Sequence, residues 1–502
     1  MATAKPLGIC SVLVAYAGLA AGTAAAQGTD DGGPFGRESF FDSSGVITTL
    51  SVKGPIDSHG AFFQSLGTNG RSCATCHVAS QAMSISAAGV QERFVQTRGR
   101  DPLFAAVDGA NCPNARQDSA ADHSLLLQHG LIRIFLKLPA SAEFTISVVR
   151  DPYGCAITQD PTDGQPIVSV YRRPLPTTNL GFLSTIMFDG RETKAPLNVK
   201  ASFPFNLAQD LTQQAIDAIA IHAQGTQAPS AAQLNDILGF ELGLYTAQSY
   251  DYAAESLRVD GAYGGPRYLA TVVPTAYYPG INDVLGADPN GVPFDPNAMR
   301  LYSAWAATED SYPEALRREQ ARRDIAAGET LFNTATVHIS NVRGLNDNAA
   351  LGNPSTFNGT CTSCHDTPNV GDHSFPLPLD IGTSHSLLPG AETDANIAAA
   401  LAELSPPNVP VYLIRRCPNP FNPGQPESFY TTDPGKALIS GLCSDFNRGK
   451  GPVLRGLAAR APYFHNGAAA DLNELVNFYN MRFQMNLTEE QKRQLAAFLN
   501  SL

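Results

Sequence analysis

Cys361-Thr362-Ser363-Cys364-His365 is the stretch on which the reading of this chain turns. Far upstream the same pattern stands as Cys73-Ala74-Thr75-Cys76-His77. C-x-x-C-H is the attachment pattern of a c-type haem. Two thiols add across the porphyrin vinyl groups, whose separation the two-residue gap matches. The adjoining histidine then lies under the iron and supplies an axial nitrogen. Two copies predict two covalently bound haems c, tethered through Cys73, Cys76, Cys361 and Cys364, with His77 and His365 as iron ligands. A shared zinc site is excluded, because nearly 300 residues separate the motifs and zinc needs four soft ligands together.

Working outward, the 502 residues are long enough for two or three domains. Charged residues make up only 16%, and Gly 43 with Pro 36 signal many turns. The net charge of −12 argues against a nucleic-acid partner, since phosphate needs a basic face. It suits instead a small basic redox protein as electron donor or acceptor.

The N-terminus reads as an export leader over residues 1–26. Lys5 is the charged start, Leu7 to Ala20 the apolar run, and Ala24-Ala25-Ala26 the small-residue cleavage site. The run is short for a membrane span, and no other stretch is long and apolar enough. Cleavage leaves eight of nine cysteines, four of them outside the haem motifs: Cys112, Cys155, Cys417 and Cys443. An even number in an oxidising compartment implies disulfides, and proximity pairs Cys112 with Cys155 and Cys417 with Cys443. Export, haem attachment and disulfides together predict a periplasmic protein.

The pass along the chain predicts a mainly α fold of two cytochrome c-like haem domains. The first covers 27–259 and carries a small β-rich excursion at about 130–172, where Phe144-Thr145-Ile146-Ser147-Val148-Val149 and Ile167-Val168-Ser169-Val170-Tyr171 are separated by turn residues. Residues 34–72 read as loop-rich. Helices are predicted at 211–225 and from Ser230, whose spacing to Gln233 is a capping box. His222, in the first of these, could approach a haem but fits a satisfied core histidine better. Residues 260–310 form a connector, in which Asp283, Asp288 and Asp295 are explained by turns before calcium. The second haem domain covers 311–502. It opens with a helix from about Tyr312 to Phe332, whose charges (Arg317, Arg318, Glu319, Arg322, Arg323) read as a solvated face. It closes with a capped helix carrying Leu495, Phe498, Leu499 and Leu502 on one stripe.

Three further stretches carry a resemblance. Leu454-Arg455-Gly456, then Ala461-Pro462-Tyr463-Phe464-His465-Asn466-Gly467, then Leu472-Asn473-Glu474-Leu475-Val476-Asn477-Phe478-Tyr479-Asn480 closely resemble the C-terminal signature of the diheme cytochrome c peroxidase/MauG superfamily. Phe188-Asp189-Gly190-Arg191 is similar to its W-D-G-R turn. The signature is shared with diheme rubber oxygenases. The resemblance implies an oxidoreductase that reduces peroxide, or uses dioxygen, at the N-terminal haem, with electrons relayed by a six-coordinate C-terminal haem. It places Arg455 and His465 around that second haem and its distal ligand fourteen positions after His465, at Tyr479. Met481 and Met485 are the alternative ligands. A tyrosine there would lower the potential relative to methionine.

This chain departs from the pattern twice. The family's tryptophan between the haems is Phe188, which is harder to oxidise. The glutamate expected about twenty residues later as acid–base group is missing, leaving Gln209 and Asp210 as candidates. The departures keep two other readings open: an electron-transfer cytochrome without catalysis, and a dioxygen-dependent enzyme of the rubber-oxygenase kind.

Overall fold

The computed structural model describes residues 35–194, 206–272, 299–307, 313–365, 377–388, 394–421 and 428–502, with Asp295 and Val370. The expected leader, Asp283 and Asp288 lie outside these residues, as does most of the expected connector. Twelve strands are described: β1 Gly36–Phe41, β2 Gly45–Ser51, β3 Ile132–Lys137, β4 Thr145–Arg150, β5 Ile157–Gln159, β6 Pro166–Arg172, β7 Leu244–Asp251, β8 Glu255–Ser256, β9 Val337–Ser340, β10 Thr356–Gly359, β11 Val411–Arg415 and β12 Ser428–Thr431. The α-helices are α1 Ala87–Thr97, α2 Ser124–His129, α3 Leu207–Ile221, α4 Ala231–Leu242, α5 Pro266–Thr271, α6 Pro313–Thr334, α7 Ala395–Leu401, α8 Ala437–Ser440, α9 Leu472–Arg482 and α10 Glu489–Asn500.

This corrects the expectation of a mainly α protein built from two cytochrome c-like domains. The fold is 35% helical and 18% strand, with four small antiparallel sheets. The first sheet, ordered β1-β2-β7-β8, takes its first two strands from the segment expected to be loop-rich. Five consecutive residues at the end of β2 are buried, and β7 carries a run of four. A strand covered on both faces shows no period-two alternation, which is the signal a sequence offers.

The β-rich excursion exists, but it is not self-contained. β3, β6 and β5 form one sheet, with Ile132 opposite Arg172 and Lys137 opposite Ile167. β4 leaves them to pair with β11 from the other half of the chain, Ile146 lying opposite Ile414, and β11 pairs in turn with β12. The buried face of this sheet joins one core with Phe144, Tyr412, Ile414 and Phe446. Both expected disulfides form: Cys112–Cys155, closing 43 residues with Cα atoms 5.9 Å apart, and Cys417–Cys443, closing 26 residues at 5.4 Å.

The helices follow their sequence signals more closely. Ser230 and Thr488 cap α4 and α10 with both halves of the capping box in place. Leu495, Phe498 and Leu499 of α10 are buried against α6, where the Phe332 and Phe498 rings meet at 5.4 Å. The charges of α6 are not all solvated. Glu319 and Arg322 are buried, and Arg322 lies over the Trp305 ring while donating to Asp260 at 2.6 Å. Among the described residues, no helix is long and apolar enough to cross a membrane.

Candidate functional site

The two motifs adopt one local structure. Each is a short 3₁₀ turn opened by a capping box, Ser72 with Thr75 and Thr360 with Ser363. In both, the first cysteine's carbonyl accepts from the histidine N–H at 3.0 Å and from the second cysteine's N–H at 3.2 Å. In both, a buried phenylalanine lies near the imidazole: Phe62 at 6.4 Å and 47° from His77, Phe332 at 6.3 Å and 49° from His365. This aromatic pairing was not anticipated, since Phe62 and Phe332 stand at different distances before their motifs.

The donors fit a c-type haem at both motifs. Cys112, Cys155, Cys417 and Cys443 are bridged, whereas Cys73, Cys76, Cys361 and Cys364 form no disulfide. Burial pushes the Cys76 thiol up to about 11 and those of Cys73 and Cys361 to about 12, so these three are not primed as thiolates. Burial also lowers His77 and His365 to about 4, which keeps both imidazoles neutral and able to ligate a metal. His77 Nδ1 donates to the Met83 carbonyl at 3.1 Å, leaving Nε2 free. His365 Nδ1 lies beside the Pro452 carbonyl, outside ordinary hydrogen-bond geometry.

The surroundings then diverge. His77, Cys73 and Cys76 line an open cleft. Its walls are largely apolar, with Ile132, Ile134, Leu180, Leu183 and Ile186, and with one face of α3 from Leu211 to Ile219. Arg172, Arg173, Arg191 and Lys450 add positive charge. His365 does not line this cleft and packs in the other half of the molecule.

Gln209 is exposed on α3, and Asp210 is buried, its carboxylate accepting from the Lys194 N–H at 3.1 Å. Neither lines the cleft; the α3 amide that does is Gln214. Two other titratable side chains reach it. His222 lines it from the end of α3 rather than sitting in a sealed core. Glu241, at the end of α4, is buried with one oxygen accepting from Thr177 at 2.7 Å and the other unbonded, and burial raises it to about 7. Glu241 was missed because a lone glutamate in a helix carries no pattern; its signal is three-dimensional.

Tyr479 is partly buried and packs against the clusters that include Cys361, between Phe464, Phe478 and Phe483. Burial raises its phenol, and both Cys361 and Cys364 lie close enough to add to the shift. Of the alternatives, Met481 is 40% exposed, while Met485 packs in the same cluster as Tyr479. Arg455 is buried near Tyr302 and Glu329.

His465 stacks on Phe188, with centroids 4.5 Å apart and planes 13° from parallel. Phe188 lies under the Arg172 guanidinium at 4.9 Å, and Arg172 binds both Asp189 and Asp433. Phe188 and Arg172 also line the cleft, so this turn joins the His77 site to the His465 turn. Burial lowers His465 to about 4 despite the nearby Asp433.

These features bring together two matched C-x-x-C-H turns, one opening on a cleft and the other with a buried histidine. The particular likeness is to the cytochrome-c peroxidase IdrP2 of Denitromonas iodatirespirans, 30% identical over 154 residues, or 29% of this chain. The chain spans 37% of the length of that relative. No family model matches the sequence.

Proposed function

We propose that the protein is a c-type haem oxidoreductase of the cytochrome c peroxidase kind. Two haems c would be held covalently, one by Cys73, Cys76 and His77 and one by Cys361, Cys364 and His365. Peroxide would be reduced at the His77 cleft, consuming two electrons and two protons to give two waters. A small, basic redox protein would supply the electrons through the His365 site, where Tyr479 would help hold the haem iron. The leader at 1–26 and the paired cysteines support a periplasmic location. The likeness to a cytochrome-c peroxidase supports the reaction class.

The observation that carries this reading is the asymmetry of the two matched motifs. An iron with an open face can bind an oxidant, whereas one closed on both sides only moves electrons. The apolar cleft walls of the His77 site suit the porphyrin faces, and Arg173, Arg191 and Lys450 would meet its propionates. When bound, the haem supplies the redox-active iron. The protein holds His77 neutral and oriented through Met83 and presents Gln214 and His222 to the cleft.

The same apolar walls favour a second reading, dioxygen-dependent oxidation of an apolar substrate. Purified mature protein should show a pyridine haemochrome spectrum equivalent to two haems and should turn over hydrogen peroxide with a reduced small cytochrome. No haem, or haem with no peroxide reaction, would overturn the proposal. Oxygen uptake with an apolar substrate in place of peroxide turnover would establish the second reading.

A further inference from the structure

Asp108, Arg71 and His222 form a buried charge chain that ends in the cleft. Asp108 is 1% exposed. One carboxylate oxygen binds Arg71 Nη1 and the other binds His222 Nδ1, both at very short range. Arg71 is itself fixed: Nε donates to the Pro102 carbonyl at 2.8 Å, and Nη2 to those of Leu103 at 2.8 Å and Ala105 at 3.2 Å. The backbone of His222 is tied as well. Its carbonyl accepts from Asn69 at 2.8 Å and from Arg71 at 3.3 Å, and its N–H donates to the Ala218 carbonyl at 2.8 Å.

Such a network fixes a tautomer. Burial alone would raise Asp108, but the His222 hydrogen bond and the Arg71 charge outweigh it, holding the carboxyl below its ordinary range. A carboxylate accepts only, so the neutral imidazole carries its proton on Nδ1 and its lone pair on Nε2. The Nδ1 edge is sealed against Asp108, and the side chain is 29% exposed. His222 lines the cleft together with Cys76 and His77, and with Nδ1 held by Asp108 its Nε2 is the nitrogen left for a ligand there.

We infer that His222 is the acid–base residue of the cleft, with Asp108 and Arg71 as its positioning residues, in the place left by the missing glutamate. The inference rests on the peroxidase reading. Nε2 takes the proton from one peroxide oxygen as that oxygen binds. The same proton passes to the other oxygen as the O–O bond breaks, and that oxygen leaves as water. The second oxygen would leave as water too, taking two electrons from the reduced redox protein, for which the haem would supply the redox-active iron, and two protons from solvent. Without the imidazole the cleft loses the base fixed by Asp108, and without the carboxylate the imidazole can turn to the wrong tautomer.

Cyanide binding tests this apart from turnover. Hydrogen cyanide must lose its proton to bind ferric iron, so the C–H bond breaks, the proton goes to Nε2 and the carbon lone pair goes to the metal. The rate is read by stopped-flow absorbance on the full haem-loaded chain at neutral pH. His222→Ala should slow binding by roughly 100-fold, Asp108→Asn should slow it in the same direction, and added imidazole should restore much of the rate in His222→Ala. His222→Gln, at a partly exposed helix end, supplies a folded variant should Asp108→Asn fail to fold. An unchanged rate in the histidine variants overturns the inference. So does a low-spin to high-spin change with faster cyanide binding in His222→Ala, which would make His222 an iron ligand instead. Either result leaves the peroxidase reading standing, whereas a wild-type protein without haem removes that reading.

Discussion

Tyr479 and Glu241 show how a single side chain takes its meaning from what surrounds it. Tyr479 is two residues from exposed Met481 on the same helix, yet it packs beside Cys361 among three aromatic rings. Replacing it with phenylalanine keeps the packing and removes the oxygen. Tyr479→Phe should therefore leave stability within about 1 kcal/mol while changing the visible and electron paramagnetic resonance spectra of one haem only. Unchanged spectra would exclude it as a ligand. Glu241 is raised from an ordinary 4.5 to about 7 because it is buried with half its hydrogen-bonding capacity unused. Its folded form holds the proton more tightly than the unfolded chain does. Stability is then fully present below about pH 4.5 and falls as pH rises through about 7, by at most about 3 kcal/mol. Glu241→Gln should flatten this part of the profile, measured as the difference in melting temperature between pH 5 and pH 8. Glu192 and Glu329, also raised to about 7 by burial, should keep the rest of the slope.

At the scale of the element, the cross-linked and capped pieces were legible and the doubly buried ones were not. The capping boxes of α4 and α10 are local, three residues from end to end, so their signal survives in the one-dimensional string. The caps at Ser72 and Thr360 that open both C-x-x-C-H turns carry Thr75 and Ser363 in place of Glu or Gln, so they were not read from the string. β1, β2 and β7 were invisible for the opposite reason: β2 and β7 draw their burial from long-range partners, and a run such as Ile47-Thr48-Thr49-Leu50 has no polar face to mark it. The candidate site divides in the same way. The cysteine and histidine positions could be read from spacing, whereas Gln209 and Asp210 were placed by counting along the chain and Gln214, Glu241 and His222 reach the cleft by the rotation of helices. The crossing of α6 and α10 offers a sharp test. A Cβ on Gly328 would run into the Gln494 carbonyl and the Phe498 Cβ. In isolation alanine favours a helix by about 1 kcal/mol over glycine, yet overpacking here should exceed that. Gly328→Ala should lower stability by about 1–2 kcal/mol, read from the denaturant midpoint; a rise would show that the helices can part without cost.

Across the whole molecule, the two halves are locked by buried charge as well as by strands. Arg172, at the end of β6, holds Asp189 of the first half and Asp433 of the second, and its neighbour Arg173 donates to the carbonyls of Ile85, His129 and Arg460. Breaking such a group strands uncompensated carboxylates. Arg172→Met should cost about 3–5 kcal/mol, with denaturation monitored separately at the haem absorbance and by far-ultraviolet circular dichroism; a loss under 1 kcal/mol would mean that the carboxylates find other partners. The strand exchange sets a limit on how this chain can be made. While the polypeptide is being synthesised, β4 has no neighbour until Val411–Arg415 has emerged, more than 250 residues later. A fragment cut between them leaves Ile146 and its companions as a bare ribbon edge that recruits other molecules. Each half is therefore a poor candidate for separate expression, and the first cleft is completed only after most of the chain exists.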